Sequence, residues 1–202
     1  MNRALKIGIL EGDDIGLEVV PETVKVMRAA AKRCALEIDW HSLPIGRKAY
    51  DALGYTLPPG TLETLDTFDG WVLGPIGHQA YRKELPNFIN PHPILRKHFD
   101  LFANIRPAKS LPGLPALHKD VDLIIVRENN EGFPPDRNVF MGNGEFRPTP
   151  DMTIGIRVIT RQGSSKVARA AFAPARPRPR RRPTAVRPDT VFTRAGGLLA
   201  DG

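Results

Sequence analysis

The chain has 202 residues, of which 41% are hydrophobic and 25% are charged, an ordinary composition for a folded globular protein. No run of eighteen or more apolar residues occurs, which argues against a membrane-spanning helix. The apolar segment 4–10 is interrupted by Lys6 and is too short for a secretory signal. A single cysteine, Cys34, excludes an internal disulfide framework and suits a reducing compartment, so we expect a cytoplasmic protein.

The net charge of +7 is concentrated at one end of the chain. Residues 151–202 carry 11 of the 29 basic residues and three of the 22 acidic residues, a local balance of +8. The first 150 residues therefore have a balance of −1. The basic composition predicts nucleic-acid affinity for the end of the chain at most, and not for the chain as a whole.

Strands and helices alternate along the first 126 residues. Strands are predicted over 5–10, 36–40, 71–73 and 121–126, and helices from Val20 to Cys34 and over 61–68. This alternation indicates an α/β fold whose parallel sheet is flanked by helices. In such sheets ligands gather at the carboxyl ends of the strands, where the turn 11–16, the loop 74–77 and Arg127 lie.

The pattern changes after residue 138. Gly142-Asn143-Gly144 predicts a hairpin turn, and partial alternation over 152–159 predicts an antiparallel arm within 139–160. Ser164 is predicted to cap a helix that runs through Phe172 and ends at the prolines from Pro174 onward. The segment 174–188 contains six arginines and five prolines, a composition that cannot bury enough apolar surface to order itself.

Three arginines are candidates for binding a small organic acid. Arg96 and Arg106 lie near each other in sequence, and Arg127 follows the apolar strand at 121–126. Guanidinium groups bind carboxylates with two parallel hydrogen bonds, a geometry that lysine does not match. The alternative is that each arginine is an ordinary solvated surface residue, since arginines are mostly exposed.

Four segments resemble the isocitrate/isopropylmalate dehydrogenase family, and within it the tartrate-dehydrogenase-like members. They are Gly12-Asp13-Asp14-Ile15-Gly16, Gly74-Pro75-Ile76-Gly77-His78, residues 95–109 (LRKHFDLFANIRPAK) and residues 126–132 (VRENNEG). The resemblance implies an isopropylmalate-dehydrogenase-like sheet that is incomplete in this chain, plus the antiparallel arm. It places part of a first domain at 1–107, part of a second domain at 108–173, and an irregular tail at 174–202.

The same resemblance implies a chemistry and a set of residues. The family oxidises a 2-hydroxy acid with NAD or NADP and Mg²⁺ or Mn²⁺, usually with loss of a carboxylate, and works as a homodimer. A metal stabilises the developing negative charge, and arginines orient the hydroxy-dicarboxylate substrate. By resemblance, the substrate-binding residues are Arg96, Arg106 and Arg127. The cofactor-binding residues are Ile15, Gly77 and His78, although His78 is equally well explained as a plain loop histidine.

Departures from the family pattern fall on the residues that would move protons. Asp14 stands where the family has glycine, at a cost of about 1 kcal/mol if the backbone φ is positive there. Pro134 occupies the position expected for the general-acid tyrosine. Pro188 replaces the lysine base, and Thr190 replaces a neighbouring asparagine. We therefore assign no catalytic residue.

No metal ligands are assigned either. Asp136, Asp151 and Asp189 show no matching spacing, although hard cations need several oxygen ligands, so we interpret them as solvated loop carboxylates. Together with the departures, this leads us to expect a truncated and inactive family member whose end, from Pro174, is a degraded or frame-disturbed coding sequence.

Two other functions remain open at this point. One is a non-catalytic fragment that binds a carboxylate ligand or pairs with a second subunit through the arm at 139–160. The other is a nucleic-acid-binding segment at 176–187, where arginines would attract phosphate. The second is disfavoured because no aromatic side chain is interleaved there for base stacking.

Overall fold

The computed structural model describes residues 3–77, 84–132, 142 and 144–178. The chain divides into two compact units, residues 1–95 and 96–202, each with its own β-structure. The predicted α/β class is confirmed. The domain boundary expected at residue 107 stays a prediction, because contacts within one chain do not define the domains of an assembled protein. Within the described ranges, no helix has the length and apolar content needed to cross a membrane.

The first unit contains a parallel three-stranded sheet with helices between its strands. Its strands are β1 (Leu5–Leu10), β2 (Ile38–Ser42) and β3 (Gly70–Leu73), in the order β2-β1-β3, and its helices are α1 (Gly16–Arg33), α2 (Gly46–Leu53) and α3 (Thr61–Asp66). All three strands and two of these helices fall where the sequence predicts them, although β2 begins two residues later than expected.

The periodicity of α1 explains how it covers the sheet. Val20, Val24 and Ala31 are buried at three- and four-residue spacing, so one face of the helix lies in the core while the opposite face is exposed. Leu10 of β1 and Leu65 of α3 are also almost completely buried. Burial of each such leucine contributes about 2 kcal/mol.

An ion pair ties the start of β1 to the residue before β3. Arg3 donates to both carboxylate oxygens of Asp69, at 2.9 and 2.5 Å, and the Lys6 amide donates at 2.8 Å. The Arg3 hydrogen bond, followed by that of Lys6, holds the pKa of Asp69 below its ordinary value of 3.8. Because this pKa is lowered on folding, the stabilisation is present above the ordinary value and is lost as pH falls through the lowered one.

The second unit is built on two antiparallel strand pairs and a helix. Its strands are β4 (Ala103–Lys109), β5 (Asp122–Glu128), β6 (Glu145–Thr149) and β7 (Met152–Gly155); α5 spans Arg161–Ala175, and α4 (Pro91–His98) straddles the boundary between the units. The strand predicted at 121–126 extends through Glu128, so Arg127 lies inside β5 and not beyond it. β5 pairs antiparallel with β4, unlike the parallel strands of the first unit.

The predicted antiparallel arm and the helix after it are present, but the turn of the arm and the cap of the helix lie at other residues than predicted. The chain reverses between β6 and β7 at Pro150-Asp151, a favoured turn pair, and not at Gly142-Asn143-Gly144, of which Asn143 lies outside the described residues. Thr160, and not Ser164, caps α5: its backbone is extended, and its hydroxyl accepts from the Gly163 amide at 3.0 Å. The helix continues one residue past Pro174, and residues 179–202 lie outside the described part.

The β4–β5 pair has one covered and one open face. Along β5, Ile124, Val126 and Glu128 are partly buried, while the alternating Leu123, Ile125 and Arg127 are exposed. Since α5 packs against β4 and β5, the partly buried set marks the face that the helix covers. The other face presents apolar side chains to solvent, Leu123 being 44% exposed and Ile125 53% exposed.

We predict that this open apolar face drives self-association. Replacing Leu123 and Ile125 together by threonine keeps the β-propensity and is expected to lower the weight-average mass in size-exclusion chromatography with light scattering. Val26→Thr, which changes an exposed valine of α1, is the matched control and is expected to leave the mass unchanged. A wild-type chain that stays monomeric at every concentration contradicts this prediction.

Candidate functional site

A buried carboxylate joins three loops at the carboxyl ends of β1, β2 and β3. The Asp13 side chain is only 1% exposed; it accepts a hydrogen bond from the Arg47 amide at 2.8 Å and from the Gly77 amide at 3.0 Å. The Asp13 amide donates to the Pro75 carbonyl at 2.7 Å. One side chain therefore fixes the separation between the turn 11–16, the start of α2 and the loop 74–77.

Two glycines allow these loops to approach so closely. Gly12 has φ +76°, and a Cβ there would lie 2.3 Å from the Pro75 carbonyl oxygen. Gly46 has φ +79°, and a Cβ there would lie 2.5 Å from Oδ1 of Asp13. Any side chain at either position would separate the loops, since both the backbone angle and the available space require glycine.

Asp14 has the unusual backbone expected from its position in the turn. Its φ is 49°, the positive value at which a residue other than glycine is expected to cost about 1 kcal/mol. Its carboxylate pairs with the guanidinium of Arg47, and this hydrogen bond raises the pKa of Arg47. A Cβ on Gly77 would lie 2.7 Å from Oδ2 of Asp14, so the ion pair lies directly against the loop 74–77.

Two of the three residues expected to contact a cofactor, Ile15 and Gly77, lie around this cluster. Ile15 is the N-cap of α1 and is 54% exposed, and the Gly77 backbone donates to Asp13. His78 lies outside the described residues. The amides of Gly16, Leu17 and Glu18 already donate to carbonyls of residues 13–15, so the start of α1 offers contacts to a ring or a ribose and not to a phosphate. The cofactor assignment stays a prediction.

In the second unit, strand register places two of the three candidate arginines on the same face. Arg127 pairs directly with Asn104, and Arg106 lies two residues further along β4. Directly opposed Cβ atoms are about 5 Å apart, and residues two apart on a strand share a face. The Nε of Arg106 donates to Oδ1 of Asn104 at 3.0 Å. Asn104 therefore lies between two exposed guanidinium groups on the open face of the sheet.

Arg96 occupies a different element. It lies in the last turn of α4 and is partly buried, and its carbonyl accepts from the Leu101 amide at 3.0 Å, two residues before β4 begins. The backbone thus holds Arg96 close to the start of the strand that carries Arg106. Its role in substrate binding, like that of Arg106 and Arg127, stays a prediction.

Sequence reasoning did not identify Asp13, Arg47 or Asn104. Asp13 and Gly77 are 64 residues apart, and no local pattern indicates a contact over such a distance. Asn104 was detectable, because the period-two spacing Asn-Ile-Arg puts residues 104 and 106 on one face of a strand.

The remaining residues named in the sequence analysis concern catalysis and metal binding. Pro134, Pro188 and Thr190 lie outside the described residues, as do Asp136 and Asp189, while Asp151 forms the turn between β6 and β7. Among the residues that are described, no group of three His, Cys, Asp or Glu side chains is arranged to hold a metal ion.

Comparison with known proteins gives consistent matches over nearly the whole chain. A family model described as isocitrate/isopropylmalate dehydrogenase matches residues 6–200. A 3-isopropylmalate dehydrogenase from Methanothermobacter thermautotrophicus is 31% identical, covering 98% of this chain and 54% of the relative. An isocitrate/homoisocitrate dehydrogenase from Thermus thermophilus is also 31% identical, with coverages of 98% and 55%. The chain spans about half the length of these relatives.

A solved structure shows the same likeness in three dimensions. The crystal structure of isocitrate dehydrogenase from Methylococcus capsulatus superposes with a TM-score of 0.77 at 29% identity, covering 98% of this chain and 55% of that one.

We predict that Asp13 and Asp14 differ sharply in their effect on stability. Asp13→Ala leaves the buried amides of Arg47 and Gly77 without an acceptor and is expected to lower the free energy of unfolding by about 3 kcal/mol. Asp14→Gly relieves the positive-φ strain but loses an exposed ion pair, so its net effect is expected to stay within about 1 kcal/mol. Urea denaturation followed by circular dichroism measures both. Equal losses for the two variants would show that Asp13 does not organise the loops.

Proposed function

Because the chain belongs to the isocitrate/isopropylmalate dehydrogenase family, a family of oxidoreductases, we propose that it carries the carboxylate-binding part of a site for a small 2-hydroxy acid. The observation that supports this most directly is the placement of Arg106 and Arg127 on one open sheet face with Asn104 between them. This placement supports a role for Arg106 and Arg127 in binding a dicarboxylate.

The chemistry of this face favours an organic acid with two carboxylates. Each guanidinium group offers two parallel donors to one carboxylate, and the Asn104 amide fixes the orientation of Arg106. The Asn104 amide nitrogen is a further donor, suited to a hydroxyl oxygen between the two carboxylates. We place Arg96 at the same ligand by resemblance. A hydroxy-dicarboxylate of the isopropylmalate, isocitrate or tartrate type fits this donor set, and the closer likeness to tartrate-dehydrogenase-like proteins stays a prediction.

The cofactor is proposed to contact the first unit. When bound, NAD or NADP supplies the hydride acceptor. In this chain the apolar Ile15 side chain would contact a ring or ribose, and the backbone of Gly77 beside the proposed contact His78 would set the approach to it. The described residues do not provide a ligand set for Mg²⁺ or Mn²⁺, so no step is assigned to a metal held by them.

Binding without turnover is the proposed state of this chain. Proline carries no transferable proton, and it stands at residues 134 and 188, where the family resemblance expects the general acid and the base. Loss of one member of a catalytic set costs several powers of ten in rate. We propose a cytoplasmic protein that retains the ligand-binding residues of its family.

We predict dicarboxylate binding that depends on the guanidinium geometry. Titration calorimetry with malate, tartrate, isocitrate and isopropylmalate is expected to identify at least one ligand. Arg106→Lys and Arg127→Lys are each expected to weaken it about tenfold, because lysine keeps the charge and loses the paired donors. Arg169→Lys, on the exposed face of α5, is the matched control. If all three variants bound the ligand with equal affinity, the proposed site at Arg106 and Arg127 would be contradicted.

Turnover is tested separately by following the absorbance of NADH. We expect no signal with NAD, Mn²⁺ and any of the four acids, since the positions of acid and base are prolines. A substrate-dependent rate above the no-substrate control would show that other residues transfer the protons, while leaving the binding prediction intact.

The alternative function, pairing of subunits through the arm, is favoured by the exposure of its apolar side chains. Phe146 and Ile154 face each other across β6 and β7 and are 53% and 40% exposed. A two-stranded hairpin with one such pair is marginal in water by itself. Docking on a second copy of the chain would cover the pair, as the homodimer expected from the resemblance requires.

We predict that Phe146→Asp abolishes a discrete dimer detected by sedimentation equilibrium, because it buries a charge in the proposed contact. The measurement is made in the Leu123→Thr, Ile125→Thr background, which removes association through the open sheet face. Thr149→Asp, the same charge change on the same strand, is the control and is expected to leave the dimer intact. A dimer that tolerates Phe146→Asp would exclude the arm as the contact.

A further inference from the structure

The side of α5 that faces away from β4 and β5 is basic and carries one exposed aromatic ring. The buried residues of this helix mark the side that packs against the strands. At about 100° per residue, four exposed side chains lie within about 80° of one another around the helix axis, namely Arg161, Arg169, Phe172 and Arg176. We call these four residues the α5 stripe.

The surroundings of the α5 stripe contain few negative charges. Residues 152–188 include ten arginines and lysines and no aspartate or glutamate. Carboxylates from neighbouring elements pair with other cations, as in Lys166 with Asp100 and Arg178 with Asp122. Among the described residues, Arg169 and Arg176 form no ion pair. Their guanidinium donors are therefore available to a ligand, and the charge of the stripe favours an anionic one.

Phe172 gives the stripe a second kind of contact. Its side chain is 53% exposed, and it lies three residues after Arg169 and four before Arg176, spacings that make side chains neighbours on a helix. Cations that pair with phosphates and an aromatic ring that stacks on a base are the two contacts by which proteins hold single-stranded nucleic acid. The aromatic side chain that segment 176–187 lacks is thus present on the helix before it.

The spacing of the arginines suits a chain of phosphates. At 1.5 Å per residue, Arg161 and Arg169 are about 12 Å apart along the axis, and Arg176 follows about 10 Å further on. Successive phosphates of one strand are about 3.4 Å apart along a stacked helix, so about three nucleotides span each interval. A lipid surface fits less well, because helices that bind lipid need a broad apolar face, and Phe172 is the one large apolar side chain of the stripe.

We propose that the α5 stripe binds single-stranded nucleic acid, with its three guanidinium groups on phosphates and Phe172 stacked on a base. The binding is independent of base sequence, because neither phosphate contacts nor ring stacking read the edges of the bases. It is also independent of the proposed function, since α5 covers the face of the strand pair opposite to Arg106 and Arg127.

The test uses the full chain and a fluorescein-labelled oligothymidylate of about 12 nucleotides. Fluorescence anisotropy is recorded between about 50 and 200 mM salt, and the three phosphate contacts of the stripe are expected to contribute about −2 to the slope of log K against log salt. Duplex DNA, polyglutamate and phosphatidylserine vesicles serve as competitors. Competition by polyglutamate or by the vesicles that equals that of unlabelled oligothymidylate, at equal charge, would overturn the proposal in favour of an acidic protein segment or a lipid surface.

One variant tests the stacking contact. Phe172→Ala is expected to weaken oligothymidylate binding about tenfold without changing the salt slope, and to leave duplex binding unchanged, because a duplex keeps its bases stacked on one another. Tyr55→Ala, which truncates an exposed ring of the first unit, is the matched control and is expected to leave both affinities unchanged. Equal effects of the two variants, or an equal loss of duplex binding in Phe172→Ala, would overturn the proposal.

A second variant tests the phosphate contacts. Arg169→Gln is expected to reduce the magnitude of the salt slope by about 0.7, the share of one phosphate on a single strand. Arg33→Gln removes the same charge from an exposed residue of α1 and is expected to leave the slope unchanged. The changed side chains are exposed, so the variants are expected to fold, which circular dichroism checks. A slope that Arg169→Gln does not alter would exclude the stripe as the site.

Discussion

The antiparallel register between β4 and β5 assigns every side chain of this strand pair to one of two faces with different chemistry. One face carries Asn104, Arg106 and Arg127 and is open to solvent. The other carries Glu128 and is covered by α5. Because side chains alternate with a period of two, a slip of β5 by one residue would move Arg127 under the helix and Glu128 into solvent, and would separate Arg127 from Arg106. The hydroxy-acid site proposed for the second unit therefore depends on this backbone pairing.

In the first unit, the loops that follow three strands are held at fixed separations from one another. A buried aspartate is suited to this because one carboxylate accepts several backbone donors at once, and its desolvation is offset only when these bonds form. The Asp13 carboxylate accepts hydrogen bonds from the amides of Arg47 and Gly77. Glycines occupy the positions where a Cβ would collide with atoms of the neighbouring loop. Asp14, whose backbone is in the left-handed region, forms an ion pair with Arg47 at the same place.

The sequence predicts local elements of this fold well and their pairing less well. The apolar segments of β1 and β3 and the periodicity of α1 are local signals, and the structure follows them. The apolar run at 123–126 is typical of a strand buried in a parallel sheet, but this strand is antiparallel, and α5 covers one of its faces and leaves the other open. The segment 103–109 contains the candidate Arg106, but the sequence analysis predicts no strand there. Thr160 was missed as a cap because Ser164 offers the same chemistry four residues later.

For the candidate site, the sequence does not predict contacts between residues that are far apart along the chain. Arg106 and Arg127 were selected by resemblance, but only the register shows that they share a face and that Asn104 stands between them. The contact of Asp13 with Gly77 depends on residues brought together by folding, and it has no local pattern.

In the proposed function, ligand binding and proton transfer would depend on different parts of this chain, so that one could persist without the other. The guanidinium pair is held by seven paired residues on each of two strands, so its geometry is set by the backbone and tolerates change elsewhere. The proton carriers expected from the family would each be a single side chain, at residues 134 and 188, and one substitution removes each of them entirely. On this proposal, proline at both positions would remove these two proton carriers and would leave the β4–β5 register unchanged. Selection that acted only on binding would leave this combination of residues in place.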